Sequence, residues 1–215
     1  MKLELWLDYL SPLCYKQHQS LEDLLKKYKF DNLEIFYRSY EMIPLFKPEK
    51  RCSFHTILSK HHMISEDEAK KIVSDIDAKI RPVEVFDAHR LSHLAKKENC
   101  SFIYNKNVFD AYYKAHKDIS NHDVLREIGI ASGISLEQIN EVLSTDMYKN
   151  QVQSNRENAI VKGIFELPYM RIDGKYKMSG FHDVDDLLKQ LKHANAQYKV
   201  SDYCEGEKCG RKKAK

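Results

Sequence analysis

The first forty residues alternate between apolar and polar positions in a way that predicts a β-α-β unit. Leu3, Leu5 and Leu7 are separated by other residue types, which is typical of a half-buried strand. The segment DNLEIFYRSY, residues 31–40, alternates in the same way and predicts a second strand. Between them, apolar residues follow the i, i+3, i+4, i+7 spacing of an amphipathic helix at Leu21, Leu24, Leu25 and Tyr28. Because a helix connects the strands, we expect them to be parallel with a right-handed crossover.

The centre of the chain, about residues 51–162, has helical patterns and no convincing strand. The stretch SEDEAKKIVSDIDAKI begins with the Ser-x-x-Glu signature of a capping box, Ser65 and Glu68, before an apolar stripe. Four further stretches predict helices: VFDAHRLSHLAKKE, KNVFDAYYKAHK, SNHDVLREIGIASG and SLEQINEVLS. Gly133 indicates the end of the third of these, and Ser135 the start of the fourth.

Strand character returns in LPYMRIDGKYKMSG. The pair Asp173-Gly174 lies between two short runs and predicts an antiparallel hairpin, because a tight turn needs positive φ values. The stretch DVDDLLKQL then predicts a helix with acidic residues at the positive end of its dipole. The sequence therefore predicts an α/β fold in which residues 1–50 and 147–195 share one sheet. Residues 51–146 form an inserted helical domain, and the polar residues 196–215 a flexible tail.

Composition and charge exclude several classes of protein. The chain has 215 residues, of which 42% are hydrophobic and 31% charged, as in soluble globular proteins. The net charge of +3 is too small to indicate a nucleic-acid or membrane partner. No apolar run approaches the roughly 18 residues that span a bilayer. The N-terminal residues do not have the pattern of a signal peptide, so we expect a cytoplasmic protein.

The five cysteines are too sparse for a disulfide scaffold, and in a reducing compartment we expect free thiols. Cys14 is placed for chemistry, because with Pro12 it falls in the first turn of the predicted helix. Unpaired backbone N–H groups and the helix dipole lower the pKa of a thiol there. The alternative is that Cys14 is only a small buried residue. Pro168, at the entry to the hairpin, is either ordinary strand punctuation or a cis proline.

Four segments together resemble one known family. They are DYLSPLCY after the first strand, FYRSYEMIP on the second, FDAHRLSHLAKKE in the inserted domain of residues 51–146 (the helical block) and GIFELPYMRIDGKYKMSGFHDVDDLLKQL near the end. This pattern, over about residues 2–192, is similar to the DsbA-type thioredoxin-fold family, and specifically to its FrnE-like branch. The resemblance implies a thioredoxin-like fold with an inserted all-helical domain. It also implies a cis Leu167-Pro168 bond that faces the active site, where the backbone before the proline pairs with an extended substrate.

The motif departs from the redox members of that family. They have Cys-Pro-x-Cys with an exposed first cysteine, whereas this chain has Ser11 at that position and keeps only Cys14, at the resolving position. A serine cannot carry a disulfide and is a poor nucleophile without a base. Dithiol exchange within the motif is thus excluded. The expected activity is a thiol-disulfide oxidoreductase with single-thiol chemistry at Cys14, in which Pro12, Leu167 and Pro168 shape the substrate groove.

Two alternatives stay open. The 2-hydroxychromene-2-carboxylate isomerases and kappa-class glutathione transferases share this fold and carry a serine in a context similar to DYLSPLCY. By that resemblance, Ser11 would hold a glutathione thiolate by a hydrogen bond. The other alternative is a non-catalytic peptide-binding module that keeps the groove beside Pro168. We expect no tightly bound cofactor and no metal. Glutathione is the expected small molecule, a protein or low-molecular-weight thiol the expected substrate, and a homodimer an alternative to a monomer.

The C-terminal stretch CEGEKC supplies a second pair of thiols, Cys204 and Cys209, with four residues between them. They can close on each other or reach back to Cys14, and so supply the thiol that Ser11 cannot. Some FrnE-like proteins have a similar pair, which strengthens this hypothesis. The alternative is two reduced, solvated thiols. A zinc site is disfavoured, because two cysteines make only half of a tetrahedral shell.

Overall fold

The computed structural model describes residues 1–44, 46–47, 53–62, 65–74, 76, 79–194 and 198–200. The strands are β1 Lys2–Leu7, β2 Tyr28–Phe30, β3 Glu34–Ser39, β4 Tyr169–Ile172, β5 Tyr176–Ser179 and β6 Tyr198–Val200. A four-stranded sheet has the order β3-β1-β4-β5, and a separate two-stranded sheet pairs β2 with β6. The predicted α/β class is confirmed.

The register of the main sheet brings the two ends of the chain together. Strand β1 is parallel to β3 and antiparallel to β4, with Trp6 opposite Tyr169. Strands β4 and β5 form the predicted antiparallel hairpin, in which Asp173 and Gly174 have φ values of +48° and +71°. Residues on both faces of β1 are buried, so the sheet is covered on both sides at this central strand.

The described residues between β3 and β4 form helices. The helices of the structure are α1 Pro12–Lys27, α2 Phe54–His62, α3 Glu66–Ile72, α4 Phe86–Lys97, α5 Ser101–Phe109, α6 His122–Ala131, α7 Leu136–Ser144, α8 Lys149–Val161 and α9 Val184–His193, and a π-helical turn, Asp110–Lys114, follows α5. Helix α1 packs against α9, whereas α4 and α8 contact β3. None of the helices in the described part of the chain is long and apolar enough to cross a membrane.

The local signals at the helix ends operate as expected. The Ser65 side chain accepts a hydrogen bond from the backbone N–H of Glu68 at the start of α3. Ser135 and Gln138 form a complete capping box on α7. Gly133, which follows α6, has a φ of +91°, a conformation that glycine adopts without a steric cost.

Three element ends differ from the sequence predictions. Helix α1 ends at Lys27, and Tyr28 instead begins β2. Strand β2 pairs with β6, so residues 198–200, predicted as part of a flexible tail, are in a strand. Helix α3 ends at Ile72, before the end of the predicted stretch. In each case, backbone pairing or tertiary packing overrides a local pattern.

A buried carboxylate links three strands of the main sheet. Glu4 of β1 accepts hydrogen bonds from Arg38 of β3 at 2.6 Å and from Arg171 of β4 at 2.7 Å. Burial alone would raise the pKa of Glu4, but the two guanidinium groups outweigh burial and lower that pKa to about 2. The carboxylate therefore stays ionised and joins its neighbours on both sides.

Candidate active site

The candidate site begins where β1 ends, in a turn organised by Asp8. Its buried carboxylate accepts hydrogen bonds from the backbone N–H groups of Leu10, at 3.0 Å, and Met42, at 2.6 Å. Its backbone carbonyl accepts a hydrogen bond from the N–H of Ser11 at 3.1 Å. Asp8 thus sets the path of the chain from the sheet into α1, and it ties that path to the segment after β3.

Ser11 is the N-cap of α1. Its backbone is extended, with φ −92° and ψ 112°, and its Oγ accepts a hydrogen bond from the N–H of Cys14 at 3.3 Å. Pro12 occupies the first helical position, where its missing N–H is not needed. The Ser11 side chain is fully buried. The structure therefore brings Ser11, Pro12 and Cys14 together at the positive end of a helix dipole.

Cys14 is a buried, neutral thiol. Only 1% of its surface is exposed, and burial raises its pKa to about 12. Hydrogen bonds from the Ser11 side chain and the Asp8 backbone favour the thiolate, but they do not offset the loss of water around the sulfur. The expected lowering of the Cys14 pKa is thus wrong. The helix position is as predicted, but the side chain points into the core, where desolvation outweighs the dipole.

Pro168 lies at the same end of the sheet as Ser11. The Leu167-Pro168 bond is cis, as the family resemblance implied. Because Tyr169 pairs with Trp6, Pro168 falls at the level of Leu7, where β1 ends. The carbonyl of Pro168 accepts a hydrogen bond from the N–H of Gly180 at 2.9 Å, and Leu167 is fully buried. The substrate-pairing role of Leu167 and Pro168 stays a prediction.

A cleft of about 190 Å³ opens beside Pro12 and has mainly aromatic and aliphatic walls. Its lining comes from one face of α1, from the segment before α4 and from the π-helical turn: Pro12, Tyr15, Lys16, Gln19, Ile76, Ile80 and Tyr113. The rings of Tyr15 and Tyr113 stack with centroids 4.5 Å apart and planes 7° apart. The Tyr113 hydroxyl donates to the carbonyl of Tyr9 at 3.0 Å, which ties this wall to the turn before Ser11.

Sequence reasoning did not assign Tyr113 or His89 to the site. Tyr113 lies in a stretch that predicted only a helix, although π-helical turns are frequent at functional sites. His89 lies in the stretch VFDAHRLSHLAKKE, for which the sequence predicted a helix and no assigned role. It is fully buried, 3.5 Å from the Asp8 carboxylate and stacked on the Tyr9 ring at 4.6 Å. Its place in the segment FDAHRL, which carries the resemblance, was the available signal.

Arg90, the residue after His89, braces the helical block. Its guanidinium donates to the carbonyl of Met147 at 2.8 Å and to the carbonyls of Val142 and Thr145. It also pairs with Asp87 at 2.7 Å. The three contacts with carbonyls fix α4 to the end of α7 and the chain that follows it, which holds the helical block in place, whereas the Asp87 pair lies within α4.

The auxiliary thiols predicted at Cys204 and Cys209 lie outside the described residues, as does Cys52. Cys100 is half-buried, and its sulfur contacts the carbonyl of Ala95 at 3.5 Å. Within the described ranges, no group of three histidine, cysteine or acidic side chains is arranged to hold a metal ion.

Comparison with solved structures finds several similar chains. A probable DsbA oxidoreductase from Streptomyces coelicolor has a TM-score of 0.76 and 21% identity, and the match covers 99% of this chain and 97% of that one. The cytosolic disulfide reductase DsbM from Pseudomonas aeruginosa, in its structure with GSH, has a TM-score of 0.67 and 13% identity, and covers 91% and 99%. A 2-hydroxychromene-2-carboxylate isomerase has a TM-score of 0.60 and 18% identity, and covers 91% and 94%.

At these identities the likeness establishes the fold, which is the thioredoxin-like DsbA fold. Comparison with curated proteins gives no match. A family model described as "DSBA-like thioredoxin domain" matches residues 2–192, nearly the whole chain. The sheet order, the cis Leu167-Pro168 bond and the Ser11 helix start all fall within that range. The chain therefore belongs to the DSBA-like thioredoxin domain family.

Proposed function

We propose that this protein is a glutathione-dependent transferase or isomerase in which the Ser11 hydroxyl holds the glutathione thiolate. The observation that carries the proposal is the state of the two motif side chains. A serine caps α1 where disulfide exchange needs the first cysteine, and the remaining thiol, Cys14, is buried with its pKa raised to about 12. Neither side chain offers a ready nucleophile for a disulfide.

The start of α1 is physically suited to an anion. Pro12 has no N–H, and the N–H of Cys14 already bonds to Ser11 Oγ. The dipole of α1 therefore supplies most of the positive charge at this position. Ser11 adds a hydroxyl of the right type to donate to an incoming thiolate. Its side chain has no exposed surface in this structure, so glutathione would have to open the turn after β1 to reach it. Held as an anion, a glutathione sulfur would be the nucleophile that the protein itself does not supply.

The cleft beside Pro12 supports a second substrate of apolar, flat shape. Its volume of about 190 Å³ admits a small substituted ring, and Tyr15 and Tyr113 present aromatic surface to it. Pro12 lines this cleft and directly follows Ser11 in the chain, so the cleft lies one residue away from Ser11. One of the similar structures is an isomerase by its name, which agrees with this chemistry, and another, a disulfide reductase, was solved with GSH, which agrees with glutathione as the ligand.

Glutathione titration tests the proposal. Thiolate formation in the complex is read from absorbance near 240 nm, with binding measured by calorimetry. We expect binding and a thiolate signal at neutral pH, lost in Ser11→Ala and kept in Ser20→Ala, a buried serine further along α1. Removing an N-cap costs about 1 kcal/mol, so all variants are compared below their unfolding range. Glutathione binding without a thiolate signal in the wild type would contradict the proposal.

The second candidate function is single-thiol disulfide exchange at Cys14. The observation in its favour is that hydrogen bonds from the Ser11 side chain and the Asp8 backbone reach the Cys14 sulfur and favour its thiolate. In this case Cys204 and Cys209 would be auxiliary thiols. Oxidised glutathione separates the candidates, because it forms a mixed disulfide with Cys14 only in the second. An inert Cys14 without glutathione binding would favour a peptide-binding module beside Pro168.

The finer assignments belong to the same proposal. We place the chain in the FrnE-like branch, because FDAHRL and the C-terminal block resemble it. We place its action in the cytosol, where glutathione keeps thiols reduced. Glutathione would be a substrate that exchanges freely. Pro12, Leu167 and Pro168 would shape the groove that receives it, a role that Pro168→Ala tests by a raised Kd for glutathione.

A further inference from the structure

His89 is a buried side chain without a hydrogen bond. It has no exposed surface, and neither Nδ1 nor Nε2 has a hydrogen-bond partner among the described residues. The Asp8 carboxylate lies 3.5 Å from Nε2 and is likewise without exposed surface. Buried polar groups are almost always paired, so an unpaired buried imidazole requires an explanation.

The imidazole contacts the turn that leads to Ser11 in two ways. It stacks on the ring of Tyr9, with centroids 4.6 Å apart and planes 28° apart. It also faces Asp8, whose carbonyl accepts the Ser11 N–H and whose backbone N–H favours the Cys14 thiolate. His89 is therefore next to the two residues that place the helix start where a sulfur anion would lie.

The surroundings of His89 are predominantly acidic. The charged and titratable groups that interact with this region are Asp8 after β1, Glu41 after β3, Glu84 and Asp87 at the start of α4, His93 on α4 and Arg156 on α8. Burial raises the pKa of Glu41 to about 7 and lowers that of His93 to about 4. A proton on His89 would thus face several carboxyl groups and a single guanidinium.

We propose that the Asp8–His89 pair takes up the proton that a thiol loses at the start of α1, which makes His89 the proton acceptor that accompanies formation of the sulfur anion. The S–H bond of the thiol breaks, its electron pair stays on sulfur, and an N–H bond forms at Nε2 of His89. Nothing is oxidised or reduced, and the total charge is unchanged. The new N–H would be directed at the Asp8 carboxylate, whose present separation of 3.5 Å a small movement would close.

This inference rests on the proposed function in one respect, because it takes glutathione as the incoming thiol. His89→Phe keeps a ring on Tyr9 and removes both nitrogens. His93→Phe is the matched control, since His93 is one turn further along α4 and bonds to Ser39 and Asn155 instead. Asp8→Asn is a second variant that keeps the side-chain shape and removes the charge that would meet the proton.

Calorimetry in two buffers of different ionisation enthalpy counts the protons released when glutathione binds, and absorbance near 240 nm follows the thiolate against pH. In the wild type and His93→Phe we expect a thiolate near neutral pH with almost no proton released. In His89→Phe and Asp8→Asn, the midpoint of thiolate formation should rise by about one pH unit or more. Each thiolate that forms in His89→Phe should release one proton to the buffer.

Two outcomes separate this inference from the proposed function. If the wild type does not bind glutathione, the proposed function fails and the inference falls with it, because the remaining thiol of the motif, Cys14, is neutral and loses no proton near neutral pH. If the midpoint and the proton count in His89→Phe equal those of the wild type, the inference is overturned. A shift of equal size in His93→Phe would show a general structural effect and would overturn it as well.

Discussion

The neutral state of Cys14 makes a quantitative prediction about alkylation. A thiol with a pKa of about 12 is ionised at pH 7 to about one part in 10⁵, whereas a free thiol with a pKa of about 8.5 is ionised to about 3%. Since the thiolate is the reacting species, iodoacetamide should modify Cys14 in the folded protein roughly three thousand times more slowly than in the unfolded chain. Burial of the sulfur slows the reaction further, so this ratio is a lower limit.

The assay is the alkylation rate of each cysteine by mass spectrometry, from pH 6 to pH 10, on folded and urea-unfolded protein. The Cys14 rate in the folded protein should rise about tenfold per pH unit without a plateau. Cys100, which is half-buried, is the internal control and should react faster. Ser11→Ala removes a hydrogen bond that favours the Cys14 thiolate and should slow the reaction of Cys14 still more.

The opposite result would refute the reasoning about the site. A Cys14 rate within tenfold of the unfolded chain, with a plateau below pH 8.5, would mean an exposed, low-pKa thiol. Desolvation would then not dominate at Cys14, and single-thiol disulfide exchange would replace the Ser11 chemistry as the best-supported function.

Three further predictions concern stability, each measured by urea unfolding. Arg90→Met should lower the free energy of unfolding by about 3 kcal/mol, because it leaves buried carbonyls and a carboxylate without their cation. Arg126→Met removes a more exposed ion pair and should lower it by less than about 1 kcal/mol. Equal losses in the two variants would contradict the bracing role of Arg90. Gly129→Ala should cost about 1–3 kcal/mol, because a Cβ there would lie 2.5 Å from Cδ1 of the buried Ile139. Ile139→Val removes that atom, so the double variant should recover part of the loss, and strict additivity would refute the clash. The pKa of Glu4 is lowered to about 2 in the folded state, so the stability that its carboxylate contributes is present above about pH 4.5 and is lost as the pH falls towards 2. Glu4→Gln should therefore flatten the dependence of the unfolding free energy on pH in this range. An unchanged slope would show that another carboxylate is responsible.

Much of the fold follows from local patterns. The alternation of Leu3, Leu5 and Leu7 predicted β1, the Asp173-Gly174 pair predicted the β4–β5 hairpin, and the capping residues predicted where helices begin. These signals are reliable because each depends on residues within a few positions of one another. The structure also confirmed the predicted parallel pairing of β1 with β3. That pairing was predictable because strands joined by a helical crossover are parallel in the same sheet.

Short sequence patterns predict only part of the candidate site. The sequence placed Ser11, Pro12 and Cys14 at the start of a helix, and the family resemblance implied the cis bond before Pro168. It did not indicate that the Cys14 sulfur points into the core. The side chain's direction depends on how α1 packs on the sheet, which brings together residues far apart in the chain.

By itself, the sequence determined the α/β class, the family resemblance and the replacement of a redox cysteine by Ser11, because those depend on residue identity and short-range periodicity. Only the tertiary structure decided that Cys14 is a neutral thiol and that His89 faces Asp8 across more than eighty positions of sequence. The pKa of a thiol and the pairing of an imidazole depend on water access and on neighbours in space. Both depend on how the helical block packs on the turn after β1, so no short stretch of the chain predicts either of them.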